Sequence, residues 1–236
     1  MQNSTDEPAT RARSVLAPTE LETEHVHKVY DSIAPHFSHT RHHPWPLVTE
    51  FLQALPPGAL VADVGCGNGK YLRVNPALCM IGSDRSIPLL TCSSIHSDET
   101  FNMFGCDALH IPLRSGLARI VRVGGSIYIV AWAFEQDAAS KRQFDEQDVM
   151  VEWKLQEKYV DQRIESDAAQ DETQQPRGVR HAKADTGKRW VVYQRYCHVY
   201  KRGELEALVA QVPGLEVLET QYSRSNWCLH VARVAE

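Results

Sequence analysis

From Glu22 to Leu55 the apolar residues Val26, Val29, Tyr30, Ile33, Phe37, Leu47, Val48, Phe51 and Leu52 recur at spacings of three and four, with Pro44 and Pro46 interrupting, a pattern that predicts two helices. From 59 to 135 the pattern changes to short strand-like runs, ALVADV, CMIGSD, TFNMFGCD and SIYIVAWAF, with a short helix expected near 87–95 between the second and third. Alternation of this kind reads as a layered α/β fold. After 135 the periodicity fades. Residues 136–188 are charged and rich in Gln and Asp, apart from the apolar island DVMVEWKL, and read as a long insertion or linker. The carboxyl end offers WVVYQRYCHVY, a helix over Lys201–Val212, and then LEVLETQY and NWCLHVARV, expected to be an antiparallel strand pair closing the sheet. The divisions expected are a disordered tail over 1–20, a cofactor-binding core over 21–135, the charged insertion over 136–188 and the last part of the sheet over 189–236.

Composition narrows the class. The chain has 236 residues, 43% hydrophobic and 23% charged, enough to bury a core as one domain or two small ones. Its amino end has no apolar run of signal-peptide length, and no segment approaches the roughly 18 residues of a membrane helix, so a soluble chain is expected with no membrane partner. The six cysteines, at 66, 79, 92, 106, 197 and 228, form no Cys-x-x-Cys pair, which suggests reduced thiols in a cytoplasmic or nuclear protein. Histidines at 36, 39, 42 and 43 lack a matching set of cysteines or acids, so no metal is expected.

A net charge of −5 argues against a generally nucleic-acid-binding surface, but the charge is uneven: 135–172 carry twelve acids against five bases, and 177–202 carry eight bases against Asp185 alone. That basic segment reads either as a solvated linker or as a mark of a phosphate-bearing partner.

The sharpest chemical signal is VADVGCGNGKYL, a strand followed at once by Gly65, Gly67 and Gly69 and then by helix-like sequence. Glycines at such a junction let the backbone approach a ligand closely. A dinucleotide fingerprint would place its third glycine at position 70, which is Lys70. Asp63 beside the loop would repel a pyrophosphate and suit an ammonium group. Both features disfavour a nicotinamide oxidoreductase and point to S-adenosylmethionine. Asp84 ends the next strand, nineteen residues after Gly65, where a carboxylate can accept hydrogen bonds from a ribose diol; Asp107 ends the third, where it could accept one from an adenine amino group.

Taken together, VYDSIAPHFSHTRHHPWP, VADVGCGNGKYL, GSDRS, CDALHIPLRSG, VGGSIYIVAWAFEQ, QDVMVEW and RYCHVYKRGELEAL resemble the eukaryotic tRNA wobble-uridine methyltransferases, from about Val26 to the carboxyl end. The resemblance implies a class I S-adenosylmethionine-dependent methyltransferase, with a Rossmann-like sheet of strand order 3-2-1-4-5-7-6. It implies methyl transfer to the carboxylate of 5-carboxymethyluridine in tRNA, and a small zinc-ribbon activator subunit as partner. Only the methyltransferase part of the longer relatives is in question. By position Asp63, Gly65, Gly67, Asn68, Asp84, Arg85, Asp107 and Ala108 match the cofactor-binding motifs. Arg41 matches a basic residue that holds either the methionine carboxylate or the substrate. Arg195 and His198 either contact RNA or the uridine carboxylate, or face solvent. Trp45, Trp132, Trp153 and Trp227 are read as core or as base-stacking surfaces. No catalytic base is nominated, because a carboxylate is already nucleophilic at pH 7 and needs alignment and a dry site.

One stretch departs from the family. Asp107 and Gly124 are seventeen residues apart, whereas a complete β-α-β unit needs about 30 residues. The fourth strand and its helix do not fit, which suggests one clean excision of roughly 30 residues between Gly116 and Leu117. Two outcomes are then expected: the fifth strand sliding over to pair with the first, and weak cofactor binding with little transferase activity. A catalytically defective form that keeps an RNA- or partner-binding surface is the alternative to an enzyme.

Overall fold

The structure, a computed structural model, describes residues 17–41, 43–92, 102–108, 121–138, 140–157, 177–183 and 189–235. Three helical segments open it: α1 (Pro18–Glu22), continued through a π-helical turn (Thr23–His27) into α2 (Lys28–Thr40), and then α3 (Pro46–Ala54). Val29, Ile33 and Ala34, the i, i+4 and i+5 positions of α2, are fully buried, as the periodicity predicts.

Two half-sheets follow. Strands β1 (Leu60–Val64), β2 (Cys79–Asp84) and β3 (Asn102–Gly105) pair in parallel in that order, with Leu60 opposite Cys79 and Ile81 opposite Asn102. Strand β4 (Ser126–Trp132) pairs antiparallel with β9 (Asn226–Arg233), which pairs antiparallel with β8 (Leu215–Ser223). The β8–β9 hairpin turns through Arg224 and Ser225 at φ of 48° and 61°, the positive values that a two-residue turn matched to strand twist requires.

Laid side by side these are the 3-2-1 and 5-7-6 halves of the class I order, with a break where the fourth strand belongs. The expected slide of the fifth strand onto the first does not occur: β4 pairs with β9, and among the described residues β1 is paired on the β2 side only. At the start of β1 Leu60 is 73% exposed, and its partner Cys79 at the start of β2 is exposed as well. The junction at Gly116 and Leu117 itself lies outside the described residues. Helix α3 spans the break. Its Phe51 stacks on Tyr128 of β4 at 4.9 Å between ring centroids, and the Leu52 carbonyl accepts a 2.9 Å hydrogen bond from Asn75 in the chain between β1 and β2.

The reading of 136–188 as linker needs correction. Strands β5 (Asp148–Gln156) and β6 (Arg180–Lys183) flank β7 (Arg189–His198) in a third, antiparallel sheet. DVMVEWKL is a period-two strand whose Leu155 joins Val191 and Tyr193 of β7 against Val29 and Ile33 of α2. Charged residues on its outer face hid the pattern. The helix between β2 and β3 is α4 (Ile87–Thr91), shorter than expected and capped by the Ser86 hydroxyl. Helix α5 (Glu204–Val209) is also trimmed to its core-facing turn, where Leu205 and Val209 pack with Trp227, Leu229 and Val231 of β9.

Candidate cofactor loop and arginine cluster

Gly65, Gly67 and Gly69 have φ of 81°, 56° and 74°, so the turn after β1 is left-handed three times and strains any other residue. At Gly65 and Gly67 an added Cβ would meet nothing within 4 Å, so the space over the loop is open. The expected helix after the loop is absent. Residues 67–74 are successive turns, with Leu72 N–H donating to Gly69 O and Val74 N–H to Tyr71 O. A helix dipole therefore contributes nothing here, and the loop's donors and acids carry the chemistry.

Three acids lie at or just past the ends of the three parallel strands. Asp84 holds the loop: its Oδ2 accepts the Gly67 N–H at 2.8 Å, and its Oδ1 accepts the Ser86 N–H at 2.8 Å. Each oxygen keeps a further lone pair able to accept another donor. Ser86 donates in turn to Asp31 of α2 at 2.5 Å, and Asn68 donates to the Ser38 hydroxyl at 2.9 Å, so α2 buttresses the loop at two points. Asp107, just beyond β3, lies 3.6 Å from Arg85 as an ion pair, and Ala108 beside it is exposed.

Asp63 differs from both. Burial pushes its carboxyl up to about 6, Lys70 opposes that rise and Asp84 adds to it, and Oδ2 is buried with no hydrogen-bond partner. A carboxylate left in this state beside an open loop is suited to a cationic ligand. Lys70 places its ammonium 4.7 Å from the Tyr71 ring and 5.3 Å from that of Trp45.

A second group of site residues lies where α2, β5 and β7 meet. Arg195 of β7, 1% exposed, sits among the rings of Trp132, Trp153 and Tyr30 at 5.2, 5.4 and 5.6 Å, and donates to the Tyr30 hydroxyl at 3.2 Å. Arg142 lies 4.8 Å from the Trp132 ring. Burial, then the charges of Arg195 and Arg142, holds Arg41 below its usual range; its guanidinium lies 5.6 Å from the Phe37 ring, which in turn lies 5.5 Å from the Trp153 ring beside Arg195. Burial, then the charge of Arg41, holds Lys70 below its usual range, and the Asn68–Ser38 hydrogen bond joins the end of α2 that carries Arg41 to the cofactor loop.

His198 is engaged elsewhere. Its Nδ1 meets Asp148 at 2.8 Å and its Nε2 meets Glu204 at 3.2 Å, which ties the ends of β5 and β7 to the start of α5. Of the four tryptophans read as core or stacking surface, Trp227 is buried in the core, Trp132 and Trp153 flank Arg195, and Trp45 faces Lys70. Among the described residues no three His, Cys, Asp or Glu side chains group as metal ligands, and no helix is long and apolar enough to cross a membrane.

Sequence reasoning passed over Asp31, Ser38, Ser86, Tyr30 and Arg142. The first three act through tertiary hydrogen bonds that no local motif announces. Arg142 sat in a segment read as linker.

No family model matches the chain. The tRNA (carboxymethyluridine(34)-5-O)-methyltransferase of Schizosaccharomyces pombe is 37% identical over 238 residues, covering 88% of this chain and 96% of its own length. The chain belongs to that methyltransferase family. The enzyme of the same name in Saccharomyces cerevisiae is 41% identical over 165 residues, 58% of each chain, and that of Xenopus tropicalis is 34% identical over 91% of this chain. This family member spans only 41% of the Xenopus protein's length, and 46% of that of the mouse relative. In the Schizosaccharomyces comparison 238 aligned positions face 88% of 236 residues, about 208, so about 30 positions lack a counterpart here, the length of one β-α-β unit. Among solved structures, the sugar methyltransferase CalS10 from Micromonospora echinaspora, with S-adenosylmethionine bound, superposes with a TM-score of 0.52 over 84% of this chain and 96% of its own at 13% identity, which establishes the shared fold.

Proposed function

We propose that this chain transfers a methyl group from S-adenosylmethionine to the carboxylate of 5-carboxymethyluridine at the wobble position of tRNA, as its relatives' names describe for them. The observation that carries the reading is Asp63: a buried acid with an unpartnered oxygen beside three left-handed glycines and open space. It fits the ammonium group of a methionine moiety. Asp84 then offers its remaining lone pairs to the ribose, and Asp107, positioned by Arg85, receives the adenine edge. The cofactor supplies a methyl group on a sulfonium. The protein's part is to align an already ionised carboxylate with that methyl and to exclude water, so no side chain needs to move a proton.

Two further elements belong to this reading. The outer edge of β3 is unpaired among the described residues, with Phe104 36% and Ile87 of α4 54% exposed, and an apolar strand edge of that kind suits a small zinc-ribbon activator subunit. For a tRNA substrate we propose the cytoplasm as the compartment, with the nucleus as a second. Copurification of the activator with the wild-type chain and its loss with Phe104→Asp tests the first; microscopy of the tagged chain tests the second.

The break between β1 and β4 supports a second reading, a form that binds RNA or partner without turnover, whereas the names of the relatives favour the transferase. Incubating the purified chain with S-adenosylmethionine and tRNA bearing carboxymethyluridine, then measuring wobble nucleosides by mass spectrometry, separates them. Formation of the methyl ester, lost on Asp63→Ala, supports the transferase, with weak turnover expected from the incomplete sheet. RNA binding without ester formation supports the second reading.

A further inference from the structure

The arginine cluster lacks what a buried charge requires. Arg195 is 1% exposed, yet its Nε and Nη2 have no hydrogen-bond partner, and among the described residues its side chain hydrogen-bonds the Tyr30 hydroxyl alone. Among the described residues neither Arg195, Arg142 nor Arg41 forms an ion pair with a carboxylate, and their guanidinium groups lie over aromatic rings. A buried ion is tolerated when paired, and leaving a hydrogen bond of a charged group unmade costs more than leaving one of a neutral group. Rings of Trp132, Trp153 and Tyr30 offset part of that cost but leave the in-plane N–H groups unsatisfied. Nε and one Nη of a guanidinium form the edge that takes both oxygens of a carboxylate. Arg142 is an exposed residue, so the cluster reaches solvent on its side.

We infer that Arg195, with Arg142 and Arg41, forms an oxyanion site that takes the carboxylate of the substrate nucleoside and distinguishes it from the neutral ester. The inference rests on the function proposed above and deepens it. Arg41 follows Ser38 by three residues at the end of α2, and the Ser38 hydroxyl accepts a 2.9 Å hydrogen bond from Asn68, which sets this end of the cluster beside the cofactor loop.

The transfer step gives the site a second consequence. A carboxylate oxygen forms a bond to the methyl carbon as the carbon–sulfur bond breaks, its electron pair going to sulfur. Acid and sulfonium, one negative and one positive, become a neutral ester and a neutral thioether, and no proton moves. The ester has lost the charge that held it between the guanidinium groups. The cluster thus binds substrate and releases product, so the reaction is not limited by ester bound at its own site.

The test measures binding of the full chain, saturated with S-adenosylhomocysteine, to an anticodon stem-loop carrying carboxymethyluridine and to the same RNA carrying its methyl ester. Identical phosphates make the difference between them report on the one group. Acid binding at least tenfold tighter than ester is expected, with that ratio falling toward one in Arg195→Met and Arg142→Gln while S-adenosylhomocysteine affinity is unchanged. Arg142→Gln, at an exposed position, keeps the test decisive if Arg195→Met does not fold. Equal binding of acid and ester by the wild-type chain overturns the inference and leaves the proposed function standing. Loss of S-adenosylhomocysteine affinity in the variants assigns the cluster to the methionine carboxylate and also overturns it. Failure of both RNAs to bind overturns the substrate reading itself.

Discussion

The backbone N–H of Gly67 donates to Asp84 Oδ2 at 2.8 Å, a bond from the glycine loop after β1 to the end of β2. It fixes the left-handed turn at Gly67 without a helix behind it. The carboxylate's other oxygen holds Ser86 N–H, so one side chain anchors two loops. Replacement by alanine leaves both donors without their acceptor. Asp84→Ala is expected to lower stability by about 1–3 kcal/mol in urea titration and to abolish cofactor binding, whereas Ser86→Ala, which keeps the Gly67 bond, retains measurable binding.

Asp63 gives a pH-dependent prediction. Its folded carboxyl titrates at about 6 against a reference value of 3.8. A raised pKa contributes stability that is fully present below 3.8 and is lost as pH rises through 6. Asp63→Asn removes that dependence. The variant should gain up to about 3 kcal/mol over the wild type at pH 8 and nothing below the reference value, read from unfolding curves at several pH values. An equal gain at all pH values would show that burial does not govern this group.

His198 behaves in the opposite way. Burial disfavours its charged form, but hydrogen bonds to Asp148 and Glu204 outweigh that and raise its pKa above 6.5. The stabilising contribution is therefore fully present below 6.5 and is lost as pH rises through the folded value. His198→Gln should destabilise the chain more at pH 6 than at pH 9, by thermal unfolding at each pH. If the loss is the same at both, the ion pairs contribute nothing.

Gly82 lies at the middle of β2, against the loop. An added Cβ would stand 2.9 Å from Cys66 Sγ, 3.1 Å from Leu72 Cδ1 and 3.2 Å from Met103 Cγ. Gly82→Ala should cost about 1–3 kcal/mol through overpacking. Gly82→Ala combined with Cys66→Ala should recover part of it, which urea titration of the double variant checks.

The parallel strands, the glycine loop and the acids at the strand ends were all readable from the chain. Each is a local matter: apolar run length, a residue tolerant of positive φ, and a polar residue where a strand stops. The third sheet was not readable, because β5 exposes Glu152 and Lys154 on one face and its partner β7 begins more than thirty residues later. Period two over so short a run resembles charged linker until the pairing is seen.

By itself, the sequence determined the family motifs and the shortage of chain between Asp107 and Gly124, since a crossover has a minimum length whatever surrounds it. Only the tertiary structure decided how the shortage is met. The β4 strand keeps its seven-residue ladder with β9 and does not slide to β1, because leaving β9 would unpair that ladder and open the core around Leu229 and Val231. Packing likewise gave Arg195 and His198 different surroundings, three residues apart on one strand. One lies among aromatic rings with two N–H groups unmet, the other between two carboxylates, and that difference depends on which elements pack against each face.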